Sequence, residues 1–137
     1  MTERADVELR LPADGVYASV LRTTTAALAA RLDFTIDDIE DLRMAVAEAT
    51  AMVLEVADPD TELVSHFTLA PGEMTVSVSV GAAAPGEPDY DSFAWQVLTT
   101  LATRADVAVA DGRYTVSMTV SSTAIDPTGP AAPEVTA

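Results

Sequence analysis

The segment ARLDFTIDDIEDLRMAVAEATAMVLEVA, residues 30–57, predicts the central helix of this protein. Thr35 is placed as an N-cap with the acidic Asp38 three residues later, which is close to a capping box, and Asp58-Pro59-Asp60 ends the helix. The predicted core-facing positions recur at helical spacing and are Ile39, Leu42, Val46, Ala49, Val53 and Val56. From Met44 onward the helix is apolar nearly all round, so it must be covered on more than one side.

A second stripe of the same helix is turned away from these core positions. It consists of Asp41, Met44, Glu48, Met52 and Glu55. Glu48 is either a carboxylate that faces a ligand pocket or an ordinary glutamate on a helix face. Met44 and Met52 offer a partner an adaptable apolar contact. If a partner alone shields Met52, the change Met52→Glu leaves the free energy of unfolding within about 1 kcal/mol of its original value.

Alternating polar and apolar residues and strong turn signals predict the other elements. The pattern predicts a strand over 7–11, helices over 16–32 and 92–103, and two hairpins over 61–81 and 107–120. Asp111-Gly112 forms the turn of the second hairpin. The resulting order is β-α-α-β-β-α-β-β, with Ser and Thr on one face of each hairpin. An α/β fold is expected, a two-layer sandwich of a mostly antiparallel sheet with helices on one face.

The same patterns assign the domain and the apolar faces of the outer helices. Residues 1–121 form one domain, and the proline-containing segment 122–137 is a disordered tail. The apolar stripe of the first helix includes Val16 and Val20, widened by leucines. In the third helix the predicted core anchors are Phe93 and Trp95, with contact to a partner as the alternative.

Composition excludes several classes of function. The chain has 137 residues and a net charge of −15, and its seven basic residues are all arginine, so a nucleic-acid or anionic-membrane binder is not expected. The absence of cysteine excludes disulfides and thiolate metal sites, and His66 is the only histidine, so no metal site is predicted. His66 itself is expected on the solvated face of a strand. The sequence contains no apolar run of membrane-spanning length and no signal-peptide pattern, which favours a cytoplasmic protein.

Two segments resemble the bacterial anti-sigma factors of the histidine-kinase/Hsp90-like (GHKL) ATPase fold, which are small protein-serine kinases. In residues 30–57, the sequence Ala47-Glu48-Ala49-Thr50-Ala51-Met52 is similar to the first part of the family's Glu-Ala-x-x-Asn motif, the N box. Residues 91–102 resemble the third-helix segment of a divergent branch. Because the element order also matches, the resemblance extends over residues 5–121.

The resemblance implies a nucleotide pocket that has lost its motifs. In the family, the N-box Asn coordinates the Mg²⁺ on the nucleotide phosphates and the Glu positions or activates the acceptor. Glu48 is then a remnant catalytic residue, while Met52 replaces the Asn with a thioether that Mg²⁺ does not favour. Asp89 or Asp91 stands loosely for the adenine-binding Asp, and bulky residues at 92–95 replace the second glycine box. ATP and Mg²⁺ are therefore not expected as cofactors.

The resemblance also implies a partner. An Arg near the position of Arg22 contacts the sigma factor in the resembled proteins, and the predicted partner-binding residues are Arg22, Asp41, Met44 and Met52. The sequence thus favours an anti-sigma-type regulator that sequesters a sigma factor without orthodox ATP chemistry. One alternative is an active ATP-dependent serine kinase of the same family that phosphorylates an anti-anti-sigma factor, and another is a non-catalytic scaffold domain. A homodimer through the polar sheet face or a strand edge stays open.

Overall fold

The computed structural model describes residues 5–123, which form one antiparallel sheet and three helices. The elements in chain order are β1 (Val7–Pro12), α1 (Ala18–Ala30), α2 (Ile36–Val56), β2 (Glu62–Ala70), β3 (Glu73–Gly81), α3 (Phe93–Leu101), β4 (Arg104–Ala110) and β5 (Arg113–Ser121). A single 3₁₀ turn, Gly15–Tyr17, precedes α1. The predicted element order and the α/β class are confirmed.

The five strands lie in the order β1-β2-β3-β5-β4, and every neighbouring pair is antiparallel. Side chains alternate between the two faces of the sheet. One row of the apolar face crosses all five strands through Val7, Phe67, Val76, Met118 and Ala105. The opposite face of β3 and β5 carries serine and threonine. The β4–β5 turn is formed by Asp111 and Gly112, whose φ angles are 56° and 74°.

The helices cover the apolar face of the sheet. α2 packs across the central strands β3 and β5, and α1 and α3 both pack against α2. The predicted capping box is present, since the Asp38 N–H donates to Thr35 Oγ1 at 3.1 Å and the Thr35 N–H donates to Asp38 Oδ2 at 3.1 Å. The predicted need to cover α2 on more than one side is therefore met by the sheet and two helices.

Two predicted helix faces are wrong in part, although the leucines of the α1 stripe lie in or against the core as predicted. In α1 the buried residues are Leu21, Thr25 and Ala29, whereas Val16 is 73% exposed and Val20 is exposed as well. Val16 belongs to the 3₁₀ turn, which changes the angular phase of the helix that follows it. In α3, Leu98 is fully buried and Trp95 packs against the core, as predicted for Trp95. Phe93, the first residue of α3, is instead 74% exposed.

The chain beyond β5 returns to the start of α2. The Ser122 N–H donates to the Gly72 carbonyl at 2.7 Å, and the Thr123 N–H donates to Asp38 Oδ2 at 2.9 Å. The rest of the predicted tail, residues 124–137, lies outside the described residues, as do residues 1–4. Within the described part of the chain, no helix is long and apolar enough to cross a membrane.

Candidate functional site

The predicted second stripe of α2 is not a continuous surface. Asp41 is exposed, Met44 is 53% exposed and Glu48 is half-buried. Met52 is only 9% exposed and belongs to the main apolar core. The placement of Met52 on an accessible partner surface is therefore wrong, because its side chain is packed in the apolar core. Met52 cannot contact a partner directly unless this packing opens.

The chain that leaves β3 is tied to the connection between α2 and β2. The Gly81 N–H donates to Thr61 Oγ1 at 2.8 Å, and the Ala83 N–H donates to the Asp58 carboxylate at 3.0 Å. A Cβ atom at Gly81 would lie 2.8 Å from Thr61 Oγ1, so this position needs glycine. The resemblance places the adenine-binding box just after β3. At this place the N–H groups of Gly81 and Ala83 already donate hydrogen bonds to side chains of the protein itself.

The loop before α3 is organised by its own side chains. The Asp89 carboxylate accepts the Asp91 N–H at 3.0 Å, and Ser92 caps α3 by accepting the Trp95 N–H at 3.1 Å. The rings of Tyr90 and Trp95 meet edge to face, with centroids 5.1 Å apart. Asp89 and Asp91 are both exposed. The structure thus places the two aspartates on the loop surface, where Asp89 stabilises a turn.

Glu55 of α2 and Asp89 of this loop lie near Tyr114 of β5. Burial raises the pKa of the Tyr114 phenol above its usual range, and the nearby Tyr90, Glu55 and Asp89 raise it further. Residues 82–103 contain no arginine or lysine. The one arginine of α2, Arg43, lies 3.6 Å from Glu40 near the other end of the helix. A triphosphate at this place would meet carboxylates rather than cations.

These residues do not fit Mg-ATP. Magnesium prefers hard oxygen ligands in octahedral geometry, and the position of the metal-binding Asn is occupied by the buried thioether of Met52. Across residues 5–123, no group of three or more acidic or histidine side chains is arranged to hold a metal ion. Glu48, the remnant catalytic residue of the sequence prediction, has no hydrogen-bond or ion-pair partner among these residues.

The start of α2 contains a site that the sequence did not reveal. Asp38 is buried, and it accepts hydrogen bonds from the Thr123 hydroxyl at 2.8 Å, the Thr123 N–H at 2.9 Å and the Thr35 N–H at 3.1 Å. Burial alone would raise the pKa of Asp38, but the bonds from Thr123 and Thr35 lower it to about 2. The capping pattern predicted the Thr35 contact. No residue near Asp38 in the sequence predicts a hydrogen-bond donor that lies 85 residues further along the chain.

The exposed faces of α1 and α2 form the other candidate surface. Residues 16–32 contain no acidic residue, and Arg22 is half-buried within them. A short connection makes α1 and α2 an antiparallel helical pair. Arg22 lies about two turns before the end of α1, and Met44 about two turns after the start of α2, so both are at a similar height along the pair. Three predicted partner residues, Arg22, Asp41 and Met44, remain accessible or half-accessible.

Comparison with a solved structure defines the class of fold. A crystal structure of the RsbU and RsbW domains of Rv1364c from Mycobacterium tuberculosis matches with a TM-score of 0.68 at 21% identity. The match covers 85% of this chain and 31% of the other. The GHKL-like α/β fold predicted from the sequence is therefore confirmed.

Comparison with curated proteins gives the family resemblance. The serine-protein kinase RsbW of Bacillus thuringiensis (strain Al Hakam) is 38% identical over 58 residues, 42% of this chain and 36% of the relative. RsbW of Bacillus velezensis is 39% identical over 54 residues, 39% of this chain and 34% of the relative. The chain thus spans about a third of the length of the relatives it matches, and no family model matches it. The predicted resemblance to RsbW-type serine-protein kinases is confirmed over this part.

Proposed function

We propose that this chain is an anti-sigma-type regulator that binds and sequesters a sigma factor in the cytoplasm without orthodox ATP chemistry. The observation that carries the proposal is the accessible surface of α1 and α2. It combines exposed apolar side chains, Val16, Val20 and Met44, with the acidic first turns of α2. Isolated exposed apolar residues are ordinary, but Val20 and Met44 lie on the helical pair that also carries Arg22, the position where the resemblance implies contact with the partner, and Val16 lies in the turn just before it.

The charge of this surface suits a basic partner. The chain carries a net charge of −15, and Asp37, Glu40 and Asp41 are exposed on α2. The regions of a sigma factor that contact DNA must be basic, because they meet phosphates. Complementary charge steers such partners together and speeds their association. Occlusion of these regions would inhibit transcription without any catalytic step.

The names of the relatives favour one other function, that of a protein-serine kinase, and the sequence resemblance makes an anti-anti-sigma factor its acceptor. The residues around Met52 and the loop before α3 argue against it in this chain, since a buried thioether stands at the metal-binding Asn position and residues 82–103 contain no cation for phosphates. Nucleotide dependence separates the two functions. Sequestration proceeds equally with and without ATP, whereas a kinase transfers phosphate to its acceptor.

A pull-down with purified sigma factors, run with and without Mg-ATP, tests the proposal. We expect Arg22→Glu combined with Met44→Glu to weaken binding at least about tenfold, about 1.4 kcal/mol. The matched control is Arg104→Glu combined with Val109→Glu, which makes the same charge change at exposed positions of β4. Normal binding by the first double variant would place the partner elsewhere. If the unmodified protein binds none of the sigma factors tested, the proposed function is rejected.

Salt dependence provides a second test of the same function. If the acidic surface steers a basic partner, the association rate constant falls clearly between low and physiological ionic strength, where the screening length shortens to about 8 Å. Stopped-flow measurements on one sigma factor over a salt series would show this. An association rate that is independent of salt would mean that the charge does not guide binding.

A further inference from the structure

Strand β4 forms one edge of the sheet and pairs only with β5 among the described strands. Ala105 and Val107 are half-buried against the apolar core. Val109 lies on the same face, opposite Tyr114 of β5, and is 46% exposed. The second half of the strand, residues 107–110, carries no charge. An exposed apolar edge without charged side chains is a template for pairing with another strand.

The turn that joins β4 to β5 fixes which main-chain groups of β4 are free. Ala110 and Arg113 flank this two-residue turn, and the first residue of such a turn accepts a hydrogen bond from the N–H of the fourth. Ala110 therefore faces β5. Because residues of an antiparallel strand alternate, Ala105, Val107 and Val109 direct their N–H and C=O groups outward. No main-chain hydrogen bond from the described loops or helices occupies these groups.

The surroundings of the β4 edge are acidic. Glu55 and Asp89 lie near Tyr114, the residue opposite Val109. On the other face of β4, Asp106 is exposed and has no hydrogen-bond or ion-pair partner among residues 5–123. Charge of one sign around a binding edge favours a ligand of the opposite sign. An added strand with basic side chains therefore suits this edge.

Two other occupants suit the edge less well. Residues 124–137 contain three prolines and two acidic residues but no basic residue, so they lack ladder donors and bring the wrong charge. A second copy of the chain brings a further net charge of −15. When two β4 strands overlap along their whole length, Ala108 lies opposite Asp106, which then still lacks a cation.

We propose that β4 binds an extended, basic segment of a partner protein, which joins the five-stranded sheet as an added antiparallel strand. Ala105, Val107 and Val109 each exchange two main-chain hydrogen bonds with the residue opposite. The segment is apolar at these three positions, and a lysine or arginine lies opposite Asp106. In such strand addition the main chain supplies affinity and alternate side chains supply specificity.

This binding edge is separate from the α1–α2 surface of the proposed function. α1 packs on α2, α2 packs on α3, and α3 packs on β4, so two helices lie between α1 and the edge. A segment bound at β4 leaves the exposed face of α1 free. The edge is therefore tested without any sigma factor, and the outcome is independent of sigma-factor binding.

A synthetic peptide of nine residues is the probe. It carries valine at its third, fifth and seventh positions, lysine at its first and sixth, and threonine elsewhere. In antiparallel register the three valines lie opposite Val109, Val107 and Ala105, and the second lysine lies opposite Asp106. Fluorescence anisotropy of the labelled peptide should give a dissociation constant below about 1 mM at low ionic strength. Absence of binding at this concentration would overturn the proposal.

Amide hydrogen exchange of the whole chain, measured by NMR, distinguishes the possible occupants. Without peptide, the N–H groups of Ala105, Val107 and Val109 should exchange rapidly, whereas those of Asp106 and Ala108 are protected by β5. Bound peptide should slow exchange at the three outward positions at least about fivefold. Protection of these three positions in the free protein would mean that a second copy or residues 124–137 already cover the edge, and it would overturn the proposal.

Val109→Pro tests the main-chain pairing. It removes one outward N–H at a position where an edge strand tolerates proline, and we expect peptide affinity to fall at least about fivefold. The matched control Val109→Thr keeps the N–H and should bind the peptide within about twofold of the original.

A charge exchange tests the register and covers the case in which Val109→Pro folds poorly. Asp106→Lys should lower affinity for the lysine peptide about fivefold, and glutamate at the sixth peptide position should restore it. Glu73→Lys makes the same charge change at an exposed position of β3 and should leave the preference for lysine unchanged. If the peptide binds but neither Val109→Pro nor Asp106→Lys alters its affinity, the peptide lies elsewhere and the proposal is wrong.

Discussion

The two ends of α2 use their acidic residues in opposite ways. At the start, Asp38 is buried and accepts hydrogen bonds from Thr35 and Thr123, which join the helix to the chain that follows β5. Towards the other end, Glu48 and Glu55 have no hydrogen-bond or ion-pair partner among residues 5–123. One end is therefore held by a dense polar network. The other end is held by apolar packing that includes Met52.

This difference separates what the fold requires from what a nucleotide site would require. Capping and packing need only donors, acceptors and apolar volume, and α2 has all three. Binding of Mg-ATP needs hard ligands for the metal and cations for the phosphates at defined positions. In the last turns of α2 the position of the metal-binding Asn holds the buried thioether of Met52, and no arginine or lysine accompanies Glu48 and Glu55. The helix can retain its place in a GHKL-like sheet without the chemistry of the resembled enzymes.

The largest expected effect tests whether the second half of α2 is packed. Met52→Glu should lower the free energy of unfolding by at least about 3 kcal/mol, because it places a carboxylate in the core. Met44→Glu, on the exposed side of the same helix, should change it by less than about 0.5 kcal/mol. Urea unfolding at neutral pH measures both. A stable Met52→Glu variant would mean that this part of α2 is open, as the sequence alone suggested.

Removal of the network at the first turn should have the next largest effect. Asp38→Ala leaves the donors of Thr35 and Thr123 without an acceptor, so we expect a loss of about 2–3 kcal/mol in unfolding free energy. Asp37→Ala, on the exposed side of the same turn, should cost less than about 1 kcal/mol. Equal effects of the two changes, measured by chemical unfolding, would show that only helix-dipole charge matters at this end.

The same carboxylate should make stability depend on pH. The folded pKa of Asp38 is about 2, below the usual 3.8, so its stabilisation is complete above pH 4–5 and is lost as the pH falls towards 2. This loss amounts to about 2 kcal/mol by pH 2. The difference in unfolding free energy between the unmodified protein and Asp38→Ala should therefore narrow over this range. A difference that stays constant down to pH 2 would contradict the lowered pKa.

The outcome of the sequence predictions follows from how local each signal is. Strand alternation, the Thr35–Asp38 capping box and the Asp111-Gly112 turn depend on neighbours within a few residues, and all were predicted correctly. Met52 and Val16 were misplaced because periodicity gives the angle between faces but not which neighbour covers each face. Thr123 was missed for the same reason, since its contact with Asp38 joins distant parts of the chain. The partner residues Arg22, Asp41 and Met44 stay predictions.

The smallest expected effect is that of added nucleotide. It tests whether the second half of α2 opens to bind Mg-ATP. We expect no Mg-dependent ATP site with a dissociation constant of 1 mM or better, because Met52 is buried and residues 82–103 offer no cation to phosphates. Addition of 1 mM Mg-ATP should then raise the free energy of unfolding by less than about 0.4 kcal/mol, the value for half-saturation of one site. Thermal unfolding and titration calorimetry measure this, with magnesium alone as the control. A micromolar, magnesium-dependent site would show that the end of α2 opens to form a pocket, and it would favour the kinase function over sequestration alone.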